Sequence, residues 1–302
     1  MQQEIGGVIV IDKPANITSA RVVAVVKKLL GARKVGHTGT LDPFATGVMV
    51  CCINRATRLA SFFLHGNKRY RAVLHLGVTT DTQDLTGSVV STCDEMGFSE
   101  AEIRSVVKKF SGVVEQLPPV YSALKHKGVP LYKLARNGKP VQKPPRRVSI
   151  SYIEILEIDL PLVYFEVLCS AGTYIRTLCA DIGASLGCGG HLKELRRIEN
   201  SGFAIEEAVT LTELEELARS GEIRNCVIPM ADALRDMPEH VADQDLKEQI
   251  LNGGTITKMD FVQEQNDMTT GFIKVVDTDN ILIAVLNVLR NSDRVKYCCV
   301  FN

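Results

Sequence analysis

Apolar residues recur along this chain with two periods, and the switches between them mark out its elements. Val8 to Ile11 is a short unbroken apolar run, which predicts a buried strand. Thr18 or Ser19 then caps a predicted helix reaching Leu30, with Val22, Val26 and Leu29 on one face and Gly31 as its stop. Val48 to Ile53 reads as a second buried strand. From Arg69 to Leu76 the period drops to two: Tyr70, Ala72, Leu74 and Leu76 share one face, and Arg69, Arg71, Val73 and His75 the other. Ser99-x-x-Glu102 is a capping box ahead of Ile103, Val106, Val107 and Phe110. Val148 to Ile158 and Val163 to Cys169 read as paired strands. Thr210-x-x-Glu213 caps another helix, with Leu211, Leu214 and Leu217 inward and Gly221 at its end. Beyond Met230 the pattern becomes short strands and turns, including a hairpin from Phe272 through the turn Asp277 to Asn280 and on to Val288.

Strands and helices mixed in this order predict an α+β fold, with a largely antiparallel sheet and a small β-rich module at the end. At 302 residues there is room for one large domain, 1–229, and a small one, 230–302. A chain ending near Met230 is expected to keep a folded core. No apolar run reaches the roughly 18–20 residues of a membrane span. The first residues carry neither a basic nor an apolar stretch, and nine scattered cysteines include no C-x-x-C pair. Reduced thiols and a cytoplasmic protein are expected. Cys188 and His191 have a ligand-like gap without two further ligands nearby, so a turn packed on the core is favoured over a metal.

The net charge of zero hides a strong division. Residues 1–204 hold 26 Lys+Arg against 17 Asp+Glu, and residues 205–302 hold 9 against 18. The first part is therefore basic and fits a polyanionic partner. Its densest segment runs from Tyr121 to Ile153 without one acid, and contains Lys125, Lys127, Arg146 and Arg147. Tyrosines, glycines and prolines interleave these charges. A solvated face would look similar, but the composition suits a mobile insertion at about 121–147 that grips phosphates better than it suits a helix surface.

Residues 36–49, GHTGTLDPFATGVM, carry the strongest hint of chemistry. They place a single carboxylate, Asp42, in a glycine-rich loop ahead of a buried strand. Taken alone, Asp42-Pro43 could merely open a turn. The whole string resembles the catalytic loop of the TruB family of pseudouridine synthases. Gly7 to Pro14 looks like that family's Lys-Pro motif. Lys68-Arg69-Tyr70-Arg71 with Asp81-Thr82-Gln83-Asp84 looks like its second motif, Gly172 to Leu178 like its third, and Gly190 to Arg197 like the segment that follows. Order and spacing agree from Gly6 to about Phe203. The last seventy residues resemble a PUA-type RNA-binding domain only weakly. Asn16 stands where the family has glycine, and asparagine tolerates positive φ better than most residues.

The resemblance implies isomerisation of uridine to pseudouridine in the T-arm of tRNA, at position 55, by a stand-alone enzyme. No metal or other cofactor is expected, and a monomer without an obligate protein partner is. Asp42 would be the catalytic carboxylate, kept ionised by the Arg176 cation. Tyr70 would stack on the uracil and relay its C5 proton, with Tyr174 and Leu195 as further walls. His37 would fill the space left by the flipped nucleotide, and Asp84 would sit near the flipped bases. Lys13 would lie near the cleft. Each has a plainer reading: Tyr70, Tyr174 and Leu195 as core residues, Arg176 and Lys13 as surface cations, His37 as structural, Asp84 as a turn-former. Two other functions stay open at this point: the catalytic subunit of a guide-RNA complex, and a non-catalytic tRNA-binding or tRNA-folding protein.

Overall fold

The computed structural model describes residues 5–261, 271–290 and 293–302. Residues 1–4, read above for an export signal, lie outside them. A mixed ten-stranded sheet forms the main body. Its path runs Val209–Thr210, Gly7–Lys13, Thr46–Ile53, Gly190–Asn200, Lys68–Leu76, Leu162–Cys169, Arg146–Asp159, Gly112–Gln116. The contacts of Gly190–Asn200 with Thr46–Ile53 and of Gly7–Lys13 with Val209–Thr210 are parallel, and the rest of the path is antiparallel.

The elements form where the periodicity places them. The first helix spans Ser19–Leu29, and the Thr18 hydroxyl accepts from the Arg21 N–H. Both capping boxes close, ahead of helices Glu100–Lys108 and Leu211–Ser220. Gly31 and Gly221 take positive φ at the helix ends, and Asn16 does so in its turn at 65°. Tyr70, Ala72, Leu74 and Leu76 are buried together. Val73, on the opposite face, is buried too, so that side is not simply solvated. Helices Glu100–Lys108 and Ile175–Leu186 pack on the Tyr70 face through Ile103, Val107, Leu178 and Ile182.

The basic insertion differs from expectation in one respect. It contains a helix, Leu131–Arg136, after a two-residue hairpin pairing Lys125–His126 with Val129–Pro130. Pro130 opens the helix with its fixed φ, Leu131 is fully buried, and Leu131 and Tyr132 donate N–H bonds back to Leu124 and Ser122. The segment thus folds on itself. Lys125, Lys127 and Arg147 are exposed, as phosphate contacts must be. Arg147 points away from Arg146, because neighbours on a strand face opposite ways, and sits 3.8 Å from Glu115.

A second, four-stranded sheet orders Glu239–Val241, Gly271–Val276, Leu282–Val288 and Val295–Val300. It contains the expected hairpin, with Asp277 accepting from Asp279 and Ile281 in the turn. One core joins it to the main sheet: Val8, Val10, Val50 and Cys52 pack in the same cluster as Val276, Leu282, Val285 and Phe301. Each such side chain is worth roughly 1.5–3 kcal/mol when fully buried. Truncation near Met230 strips this face, so the shortened chain should melt well below the full chain or aggregate. Thermal melting by circular dichroism checks this; an unchanged cooperative melt would show that the two sheets are independent.

Candidate active site

Asp42 sits on a loop that is tied down on every side. The Ser19 hydroxyl donates to the Leu41 carbonyl at 3.0 Å and accepts from the Leu41 N–H at 2.9 Å. Lys13 Nζ donates to the carbonyls of Pro14, Pro43 and Ala45 at 2.8, 3.0 and 2.6 Å. Arg197 Nη2 donates to the Gly39 carbonyl at 3.0 Å, while its Nε holds the Val48 carbonyl at 2.7 Å. Gly47 faces the Arg197 backbone so closely that a Cβ would lie 2.1 Å from its carbonyl oxygen, so no side chain fits there.

Lys13 therefore does not line the cleft. It is wholly buried behind the loop, and burial pulls its pKa down to about 8 although Asp42 opposes the shift. Three carbonyls account for its three donors, so it holds the loop rather than a substrate.

In front of the loop lies a cavity of about 410 Å³. Asp42, Tyr70, Tyr174, Arg176 and Leu195 all line it, as do Arg146, Lys68 and Arg197. Strand register explains the grouping. Leu195 pairs with Ala72, and Arg197 with Tyr70, directly across the Lys68–Leu76 and Gly190–Asn200 strands. Tyr70, Leu195 and Arg197 thus project from one patch of sheet. Tyr174 caps the helix Ile175–Leu186, and Gln116 clamps it by accepting from its N–H at 2.9 Å and donating to its carbonyl at 3.1 Å.

Arg176, 4% exposed, binds the pocket's pieces together. Its Nε lies 3.0 Å from Asp42 Oδ2, an ion pair rather than an aligned hydrogen bond, and Nη2 donates to Asp42 Oδ1 at 3.5 Å. Its Nη1 sits 3.3 Å from Asp84 Oδ2 and donates to the Thr82 carbonyl at 3.0 Å, and Nη2 reaches the Tyr121 carbonyl at 2.8 Å. Asp84 is not among the cavity's lining residues. It is 5% exposed behind Arg176, and its Oδ1 accepts from Thr82 and from the Thr86 N–H and hydroxyl. In this structure its contacts are with Arg176, Thr82 and Thr86.

Arg176 pulls the Asp42 pKa down as the sequence suggests, yet the net shift is upward. Burial outweighs the cation, and the second carboxylate, Asp84, adds to the rise. Tyr70 is likewise pushed up by burial, against the adjacent Arg197. His37 ends the short strand Val35–His37, half-buried next to the cavity-lining Thr38. Its Nδ1 accepts from the Gly39 N–H at 3.3 Å, and burial lowers its pKa. Sequence reasoning missed Gln116, Lys68, Ser122 and Arg197. For Arg197 the signal was there, two residues beyond Leu195 on the same strand face. Cys188 and His191 form a core turn: the thiol donates to the Gly189 carbonyl, and His191 bonds the Val78 carbonyl. Among the described residues no cluster of three His, Cys, Asp or Glu could hold a metal, and no helix is long and apolar enough to cross a membrane.

Lys13→Met removes the donor that holds three loop carbonyls and leaves them buried without it. Such a loss costs on the order of 1–3 kcal/mol per orphaned group. The variant should melt lower and turn over more slowly, although residue 13 does not line the cavity; unchanged melting and rate would show that the loop holds its own shape.

Comparison with known proteins identifies the family. Residues 27–175 match the TruB family pseudouridylate synthase N-terminal domain, and residues 176–235 the tRNA pseudouridylate synthase B C-terminal domain. The tRNA pseudouridine synthase B of Syntrophotalea carbinolica is 47% identical over 232 residues, which is 77% of this chain and 76% of that one. That of Geobacter sulfurreducens is 48% identical over 228 residues, 76% and 75% of the two chains. Among solved structures, a chain from a Cbf5-Nop10-Gar1 complex is 28% identical with a TM-score of 0.76, covering 98% of this chain and 84% of that one. The α+β architecture with its small C-terminal sheet is thus shared along nearly the whole length. On the family match and on this identity to curated relatives, the chain belongs to the TruB family of pseudouridylate synthases.

Proposed function

We propose that this enzyme isomerises uridine to pseudouridine in the T-arm of tRNA, at position 55, with Asp42 as its catalytic carboxylate. The observation that carries the reading is Asp42 lining a nucleotide-sized cavity while paired with a buried arginine. The substrate class follows the curated relatives, which are named for tRNA, and the position follows the motif resemblance. The reaction breaks the N1–C1′ bond and joins C5 to C1′; C5 loses a proton and N1 gains one. No electrons are exchanged with an outside group. Asp42 acts as anion, either bonding to the sugar or steadying charge there, and Arg176 keeps it charged and aimed. Tyr70 presents its ring to the uracil and its hydroxyl to the C5 proton. A uridine inside a stem-loop reaches this depth only by leaving its stack, and His37, which ends the strand Val35–His37 at the loop edge, takes the vacated space in this reading.

A second reading, a subunit that needs a guide RNA, has one observation behind it: the likeness to a chain solved in an H/ACA RNP bound to a substrate RNA, 27% identical with a TM-score of 0.74. The higher identity to the curated relatives favours a stand-alone enzyme. Incubating the protein alone with unmodified tRNA and with an isolated T-arm hairpin, then mapping pseudouridine, separates the two. Modification without added RNA or protein is expected; none on either substrate would favour the guided reading.

Asp42→Asn should abolish turnover and leave RNA affinity within about threefold, since only the charge is lost. Tyr70→Phe should keep binding and slow product formation by about 100-fold or more. Near-normal rates in either variant would remove that residue from the mechanism.

The pKa of Asp42 sets a second expectation. The folded-state value lies above the unfolded one, so this group's contribution to stability is present at low pH and is lost as pH rises through the folded value. Above the folded value the ionised carboxylate is a strain on the fold, and Asp84 still partners Arg176 without it. Asp42→Asn should therefore melt no lower than the unaltered protein at pH 7, and the acid limb of the rate profile should lie above the usual carboxylate range. A marked fall in melting temperature would contradict this.

Charge on the insertion gives a further test. Replacing Lys125 and Lys127 with glutamine should flatten the slope of log affinity against log salt by up to about one unit per lost phosphate contact. An unchanged slope would place both side chains away from the RNA.

A further inference from the structure

Among the described residues, three that line the cavity carry a buried polar atom without a hydrogen-bond partner, Ser122 at its hydroxyl and Arg146 and Arg176 at Nε; Arg176 Nε is ion-paired with Asp42, which leaves the Ser122 hydroxyl and Arg146 Nε. Both atoms are buried, and Ser122 as a whole is 3% exposed. Buried polar atoms in folded proteins are almost always bonded, so a matched pair at one cavity asks for a cause. The two residues stand at the two roots of the basic insertion, where it leaves and rejoins the sheet.

Neither is loosely held. The Ser122 carbonyl accepts from the Tyr132 N–H at 3.0 Å, and the preceding carbonyl, of Tyr121, accepts from Arg176 at 2.8 Å. The backbone of Ser122 is fixed on both sides while its side chain stays uncommitted. Arg146 lies over the Tyr174 ring, 4.7 Å from its centroid. Gln116 clamps that tyrosine and is itself the register partner of Arg146. The stack occupies the face of the guanidinium and leaves the Nε–H on its edge to donate elsewhere.

We infer that Ser122 and Arg146 read the edge of the flipped uracil, Arg146 Nε–H donating to O4 and the Ser122 hydroxyl accepting from N3–H. The inference rests on the cavity being the seat of a uridine. Uracil offers an acceptor beside a donor on this edge; cytosine offers the reverse, an amine at C4 and a bare N3. A serine hydroxyl can turn to suit either base, but arginine has no acceptor. Arg146 would meet the cytosine amine donor to donor, and that mismatch makes the pair selective. A site built to hydrogen-bond one group rejects an analogue lacking it far more strongly than an apolar pocket does.

Affinity can be measured apart from turnover in the Asp42→Asn background, using T-arm hairpins that carry uridine or cytidine at the target position. The otherwise unaltered protein should prefer uridine by about tenfold or more. Adding Arg146→Gln, which offers both a donor and an acceptor, should bring the ratio to within about threefold of one, mainly by weakening uridine. In the active enzyme, Ser122→Ala should raise KM several-fold with kcat nearly kept, and it should not lower the melting temperature, since the hydroxyl has no partner in the protein. A preference that survives Arg146→Gln would overturn the inference, as would equal losses for both hairpins, which would assign Arg146 to the phosphate backbone. No preference even before Arg146→Gln would overturn the seat itself, and with it the reading on which the inference stands.

Discussion

Arg176 is a single buried cation between two carboxylates, and three distant stretches of chain are placed by it. Its ion pair with Asp42 brings in the loop of residues 36–49. Asp84 and the Thr82 carbonyl bring in the turn after the Lys68–Leu76 strand, and the Tyr121 carbonyl fixes the root of the insertion. A buried guanidinium stripped of partners is expensive, which is why all of these contacts are made together. The count of charges also decides the chemistry. One arginine cannot fully satisfy two acids, and burial adds its own penalty, so Asp42, the acid that faces the cavity, is held above the ordinary range while Asp84 is satisfied by threonines. The result is a carboxylate whose charged form is costly in its pocket, which suits attack or charge stabilisation once it is ionised.

The sheet supplies the opposite wall. Because Arg197 pairs with Tyr70 and Leu195 with Ala72, a ring, an apolar side chain and a second cation come to one patch without any loop having to aim them. Arg197 also reaches across to the Gly39 carbonyl, so the loop and the wall are joined by one side chain. The loop's remaining anchors, Ser19 and Lys13, come from the first strand and helix. The apparent surplus of buried cations is thus mostly spent on backbone carbonyls.

Much of this was legible in the sequence, and the parts that were not share a cause. Periodicity and capping residues place the helices Ser19–Leu29, Glu100–Lys108 and Leu211–Ser220, because those signals are local. The motif resemblance brings Asp42, Tyr70, Tyr174, Arg176 and Leu195 to one cavity, as the structure does. What was not legible depends on partners far away in sequence. Lys13 and Asp84 carry motif positions that look like substrate contacts, but the three carbonyls around one and the guanidinium beside the other appear only after folding. Arg146 and Arg147 look alike in a charge run; strand alternation sends one into the cavity and the other outward. The helix within the insertion was masked by flanking glycines and prolines, and the joint core of the two sheets by the change of pattern near Met230.

The account stands on Asp84 acting through Arg176 to set the state of Asp42. The most direct test is the pH profile of single-turnover conversion on a T-arm hairpin, for the unaltered enzyme and for Asp84→Asn. Removing that carboxylate takes away a charge that raises the Asp42 pKa and frees Arg176 to pair with it, and both effects act in one direction. The acid limb should move to lower pH, with a lower plateau as Arg176 loses its fixed orientation. An acid limb that stays in place would mean that Asp42 is set by something other than the Arg176 pair, and would contradict the account.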